Sequence, residues 1–154
     1  MSKLIMMMGI PGAGKSTWVR QNFPNITPVS RDAIRFALLK EGEEYFAHET
    51  EVFEKFTQQT IDSLVANEVT IVDATHLTKS SRAKVLNKVR KFADEIEIIW
   101  IDVDLVTAFK QNDMRDGRAW VKHGIIRRMF FSLEEPTEDE GFTKITIIGK
   151  VNRE

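Results

Sequence analysis

Lys15 and Ser16 close the run Gly9-Ile10-Pro11-Gly12-Ala13-Gly14-Lys15-Ser16, which has the form GxxxxGK[ST]. That spacing is built for phosphate. Glycines permit backbone angles that side chains forbid, so successive N–H groups can turn inward around an anion. A helix that starts at the end of the loop aims the positive end of its dipole at the same point. Lys15 then reaches the β- and γ-phosphates of a nucleoside triphosphate, and the Ser16 hydroxyl helps to hold Mg²⁺. The five apolar residues Leu4 to Met8 lead into the loop and Thr17-Trp18-Val19-Arg20 leads out of it, which is the strand–loop–helix context the motif requires. Gly12, Ala13, Gly14, Lys15, Ser16 and Thr17 are the expected nucleotide-holding residues.

Three further groups could do chemistry. Asp73 ends the Val/Ile-rich run Val69-Thr70-Ile71-Val72. In a triphosphate site a carboxylate so placed serves Mg²⁺, often through water; otherwise it caps the loop that follows. Asp32 and Arg35 stand three apart at a helix start and share a face. They read either as a proton-accepting carboxylate beside a phosphate-binding guanidinium, or as a helix cap with an ion pair. Residues 110–128 hold six basic side chains, including Arg115 and Arg118, against two acidic ones. Such a concentration suits a basic lid whose arginines neutralise charge on a transferring phosphoryl group, while a basic surface loop is the plainer reading. Trp120 within it either stacks on a base or anchors the lid.

These residues need elements to position them. The pattern predicts a strand at Leu4–Met8, a first helix after Lys15, and a short extended piece ending at Ser30. A helix follows, capped by Ser30 or Asp32 and broken at Gly42. The longest helical pattern covers 43–67, with Phe46, Phe53, Phe56 and Leu64 on its core face. Glu41, Glu43, Glu44, Glu49, Glu51 and Glu54 are expected on its solvated face. Strands are expected at 69–73, 96–104 and 144–148, and helices at 80–94, 105–115 and 125–133. Near-continuous apolar strands alternating with helices indicate an α/β fold: a parallel sheet with helices on both faces and a lid at about 110–128. Ligands in such sheets sit at the carboxyl ends of the strands, so the phosphate loop, Asp32, Asp73 and the turn at Asp104 should share one crevice.

Composition sets bounds. With 154 residues, a single domain over 1–154 is expected. The net charge is −1, so any polyanion site must be local. Without cysteine there is no disulfide framework and no thiolate chemistry. His48, His76 and His123 lack metal-ligand spacing. No apolar stretch reaches membrane-spanning length, and a cytoplasmic location is expected. The GTPase elements DxxG and NKxD are both missing; Asn87-Lys88-Val89-Arg90 fails at its last position. The signals favour a kinase over a switch.

Taken together, GIPGAGKSTW, SRDAIR, VDATHLTKSSR, Asn112-x-x-Arg115 and RMFFSLEEPTEDEGF resemble the P-loop 5′-OH polynucleotide kinases, most closely the kinase domain of the T-even phage member. The resemblance implies transfer of the γ-phosphate of ATP, with Mg²⁺, to the 5′-OH end of DNA or RNA. It implies Lys15 and Ser16 on phosphate and Mg²⁺, Asp32 as general base, Arg35 as a clamp on phosphate near the acceptor end, and Arg115 as the lid arginine on the donor. This sequence departs from the pattern in three places. It lacks the DxDGT phosphatase motif; it has Asp73-Ala74-Thr75-His76 where the phage enzyme has D-T-N; and its lid is about one residue longer after Arg115, which leaves Arg118 open as a partner. The alternatives are a P-loop kinase of a small hydroxyl compound (a sugar, nucleoside or antibiotic) and a nucleotide-binding module without transfer activity.

Overall fold

The computed structural model describes residues 1–149, the side chain of Arg118 excepted. Strand β1 (Lys3–Met8) runs into the phosphate loop and helix α1 (Lys15–Asn22). A two-residue strand β2 (Val29–Ser30) leads directly to α2 (Arg31–Leu38), and α3 (Glu49–Ala66) precedes β3 (Val69–Asp73). Then follow α4 (Lys79–Val89), β4 (Glu95–Ile101), α5 (Leu105–Asp113), α6 (His123–Ser132) and the closing strand β5 (Lys144–Ile148). Every pairing is parallel and the strand order is β2-β3-β1-β4-β5.

β1 is the hub. Leu4 to Met8 are all at most 3% exposed, because alternate side chains enter different layers. Leu4, Met6 and Met8 join Ile34, Val52, Phe56, Val85 and Leu86 from α2, α3 and α4. Ile5 and Met7 join Val19, Ala108 and Ile126 from α1, α5 and α6. A strand buried on both faces must be apolar at every position, which is why this run shows no alternation. Each such side chain contributes about 1.5–3 kcal/mol by leaving water.

Register brings the chemistry together. Asp73 pairs with Met7 on one side and with Ser30 on the other. The carboxyl ends of β1, β2 and β3 therefore coincide, and chain order departs from β1 in both directions, the usual setting for a ligand crevice.

Four expectations are corrected. The long helix begins at Glu49, not at residue 43. Ahead of it Gly42 adopts a left-handed φ of 82°, and Glu43 closes a turn by accepting from the Lys40 amide at 2.7 Å and pairing with His48 at 2.8 Å. The residues are good helix formers, but these local bonds compete with the helix. Phe46 is consequently 58% exposed and lies outside the core. Glu49 leaves the solvated face, since it is the ion-pair partner of Arg35. The strand expected over 96–104 stops at Ile101, and Asp104 instead caps α5 by accepting from the Thr107 amide at 2.7 Å.

Candidate active site

The phosphate loop has the geometry its sequence demands. Gly12 and Gly14 take left-handed φ values of 86° and 96°, and Gly14 is the N-cap of α1. A Cβ on Gly12 would stand 2.4 Å from the Ala108 carbonyl oxygen. Only a glycine lets α5, which carries the base of the lid, press against the loop. Lys15 donates to the carbonyls of Gly9 and Ile10 at 2.9 and 3.3 Å. Burial lowers its pKa, opposed by the charge of Asp73 and reinforced by that of Arg115 and countered again by Asp32. All three charges thus act on the lysine. Ser16 Oγ lies 3.2 Å from Asp73 Oδ2, while Ser16 and Thr17 are both solvent-exposed.

Asp32 lies in the first turn of α2, whose N-cap is Ser30, accepting from the Ala33 amide at 3.1 Å. That resolves the choice of cap and leaves the Asp32 carboxylate, half-exposed, for other work. One of its oxygens, Oδ1, accepts from the Tyr45 hydroxyl at 2.6 Å and from Arg35. Arg35 is itself buried. It meets Glu49 with two parallel bonds, Nε at 2.7 Å and Nη2 at 2.6 Å, and its Nη1 also reaches the Tyr45 oxygen at 2.8 Å. Of the five guanidinium hydrogens, four are thereby committed to the protein. Burial pushes the Tyr45 pKa upward, and its bond to Asp32 adds to the rise. Arg31 completes the cluster, with its guanidinium over the rings of Phe53 and Phe56 at 5.7 and 6.0 Å.

A second layer holds the loop after Asp73. His76 adopts a left-handed φ of 47°, rare outside glycine and tolerated best by short polar or imidazole side chains. Its Nδ1 lies 2.6 Å from the Met7 carbonyl; a carbonyl only accepts, so Nδ1 carries the hydrogen. The Gly9 amide donates to the Thr75 carbonyl at 3.1 Å. These two bonds pin the segment after Asp73 against the entrance of the phosphate loop. Arg82, fully buried, reaches Glu140 with Nε at 2.8 Å and Nη2 at 3.2 Å, and donates to the His76 carbonyl at 2.9 Å.

The lid is clamped at its base. Buried Asn112 exchanges two hydrogen bonds with the Val121 backbone, at 2.6 and 3.0 Å. Phe109 stacks on His123 with centroids 4.2 Å apart. Trp120 ties its indole N–H to Asp113 at 3.2 Å and stays 45% exposed, so it is anchored at one edge. Arg115 is partly buried, and its charge acts on the phosphate-loop lysine. The expected donor role of Arg118 concerns a side chain outside the described residues.

The structure thus gathers Lys15, Ser16, Asp32, Arg35, Asp73 and Arg115 at one end of the sheet. Sequence reasoning passed over Tyr45 and Glu49, which join Asp32 and Arg35 only through the packing of α3 and the turn before it on α2. It also gave no role to His76 and Arg82, though both lie within VDATHLTKSSR.

Fold and site define a P-loop kinase-type α/β domain. A family model described as AAA domain matches residues 4–136, and the chain belongs to that family. Among solved structures, a chain of the Pnkp1/Rnl/Hen1 RNA repair complex superposes with a TM-score of 0.72 at 21% identity, over 86% of this chain and 44% of that one. Kti12 from Chaetomium thermophilum, in complex with ADP-AlF3, gives 0.70 at 15% identity over 94% and 88%. A sugar kinase from Janibacter sp. HTCC2649 gives 0.66 at 15% identity over 96% and 85%. This chain spans less than half the length of the Pnkp1-complex chains it matches. Among the described residues no helix is long and apolar enough to cross a membrane, and no three metal-binding side chains cluster.

Proposed function

We propose that the protein is a polynucleotide 5′-hydroxyl kinase that transfers the γ-phosphate of ATP to the 5′-OH end of DNA or RNA. The observation that carries this reading is Asp32, a half-exposed carboxylate whose charge acts on Lys15, with one oxygen fixed by Tyr45 and Arg35 and the other unbonded. In this reading the second oxygen accepts the proton of the attacking 5′-hydroxyl as the new O–P bond forms. The bond from γ-phosphorus to its bridging oxygen breaks, and ADP leaves.

The backbone of Gly12, Ala13, Gly14, Lys15, Ser16 and Thr17 cradles the phosphates. Lys15 exchanges its two carbonyl partners for phosphate oxygens, and Arg115 covers the donor from the lid. Preorganised charges of this kind stabilise the transferring group. The oxygens of Ser16 and Asp73, 3.2 Å apart, fit Mg²⁺, which takes one or two protein ligands beside phosphates and water. When bound there, it neutralises charge on the β- and γ-oxygens. The resemblance makes Arg35 a clamp on phosphate near the acceptor end. Its two-pronged contact is made to Glu49 instead, so in this reading its remaining Nη2 hydrogen meets the first acceptor phosphate while Glu49 holds the guanidinium flat.

The test is a panel of acceptors with γ-labelled ATP: 5′-OH oligonucleotides, nucleoside 3′-monophosphates, bare nucleosides and sugars. The 3′-monophosphate should be phosphorylated and the bare nucleoside should be a very poor acceptor, because the non-reacting phosphate positions the hydroxyl. Arg35→Ala should remove most of that difference. Equal rates for nucleoside and 3′-monophosphate defeat this reading. A kinase of a small hydroxyl compound is the second reading, supported by the sugar kinase that aligns over 85% of its own length; a sugar as best acceptor would select it.

A further inference from the structure

Helix α2 ends at Leu38, and the chain then turns back through Gly42 to bring Tyr45 beside Phe36. Beside them lies a cavity of about 320 Å³ lined by Phe36, Leu39, Tyr45 and residues 40–43. That size falls at the lower end of small-molecule sites, which run from about 300 to 1,000 Å³. Of the residues gathered around Asp32, Tyr45 lines the cavity, and its hydroxyl holds Asp32 at 2.6 Å.

The lining selects among ligands. Phe36 and Tyr45 meet at 69° with centroids 6.1 Å apart, and Phe46 abuts Tyr45 edge-on at 4.6 Å. Both oxygens of the Glu43 carboxylate are already engaged, one by the Lys40 amide and one by His48. A guest therefore meets mainly aromatic and aliphatic carbon. A sugar ring carries hydroxyls around its whole edge, and those turned toward the rings rather than the rim would be buried without partners, which is unfavourable. A planar heterocycle presents a face to the rings and a polar edge to the rim.

We propose that this cavity seats the nucleobase of the acceptor's terminal nucleotide while its 5′-hydroxyl lies at Asp32. The proposal rests on the reading of the acceptor as a 5′-OH nucleic acid. Phe36 lies four residues, about 6 Å, along the helix from Asp32. A base hangs from the same ribose that carries the 5′-hydroxyl, so one nucleotide spans both points. Stacking accepts any base, because each has a π-face. The site would therefore favour a splayed, unpaired terminal nucleotide of any identity over one stacked in a duplex end.

The test uses two single-stranded oligonucleotides with the same phosphates. One carries a normal 5′-terminal nucleotide, and the other an abasic 5′-terminal residue with its hydroxyl intact. For the wild type, removing the base should lower kcat/KM about tenfold, in keeping with the measured worth of one base stacked on an aromatic side chain. In Phe36→Ala the ratio between the two ends should fall toward one, and Phe36→Trp should keep it. A 5′-terminal 2-aminopurine should be quenched on binding the wild type and not Phe36→Ala. This reads the stack without turnover, and the wild-type measurements stand even if the alanine variant fails to fold. Equal kcat/KM for both ends with no quenching overturns the cavity assignment and leaves the polynucleotide reading intact. A wild type that phosphorylates neither end overturns that reading and this one with it.

Discussion

His76 should make the protein acid-sensitive over a window set by its burial. It is 3% exposed, with Nδ1–H donating to the Met7 carbonyl and Nε2 buried without a partner. Burial lowers its pKa from 6.5 to about 4, assisted by the nearby charges of Arg31, Lys15 and Arg82 and opposed by the Met7 bond. In the unfolded chain the imidazole binds a proton near pH 6.5; in the folded protein it does not until about pH 4. Between those values the unfolded state holds more protons, so stability falls as pH drops. A difference of about 2.5 units at 1.36 kcal/mol per unit comes to about 3 kcal/mol, fully present above pH 6.5 and gone by about pH 4. Other groups titrate in the same range, so the informative quantity is a difference between proteins. His76→Asn removes the titration and keeps a residue that tolerates the left-handed backbone. Urea unfolding of both proteins at pH 7.5 and 4.5 should show the wild type losing about 2.5 kcal/mol more than the variant. Equal losses would mean that His76 is protonated in the folded state or lies open to water, and the account of the loop behind Asp73 would be wrong.

Lys15→Ala should lower the rate of phosphoryl transfer about 100- to 1,000-fold with an unchanged circular dichroism melt; wild-type turnover removes the phosphate-loop assignment. Asp32→Asn should reduce kcat on the order of 100-fold and leave ATP affinity intact, whereas a fall in ATP affinity with kcat preserved would make Asp32 a metal-side group. Gly12→Ala forces a side chain into a left-handed position, at about 1–2 kcal/mol, and drives its Cβ to 2.4 Å from the Ala108 carbonyl. It should displace α5 and abolish ATP binding in equilibrium dialysis; retained affinity contradicts the tight seat of α5 on the loop. Glu140→Gln strands the Arg82 charge, fully buried in its present pair, and should cost about 3–5 kcal/mol in urea unfolding. A loss under about 1 kcal/mol shows that water reaches Arg82.

The sequence by itself determined the sheet and its phosphate loop. Leu4 to Met8 are apolar at every position because both faces of β1 are covered, and Gly12 and Gly14 stand where the backbone must be left-handed. These are local constraints, written in neighbouring residues. The closing strand at Lys144–Ile148 was legible from its β-branched run Ile145-Thr146-Ile147-Ile148, although as an edge strand it is only partly covered. Tertiary structure alone decided what surrounds the candidate base. Glu49 is fourteen residues from Arg35 and Tyr45 thirteen from Asp32, and both were indistinguishable from surface residues in the sequence. Helical periodicity assigns a residue to a face of its own helix, but it carries no information about which charge on another helix that face will meet. Residues 43–48 made the same point in reverse. Their composition favours helix, and bonds from Glu43 to the Lys40 amide and to His48 closed a turn instead. That turn brings Tyr45 against Phe36 and its hydroxyl onto Asp32, a juxtaposition that exists only once α2, the turn and α3 are packed together.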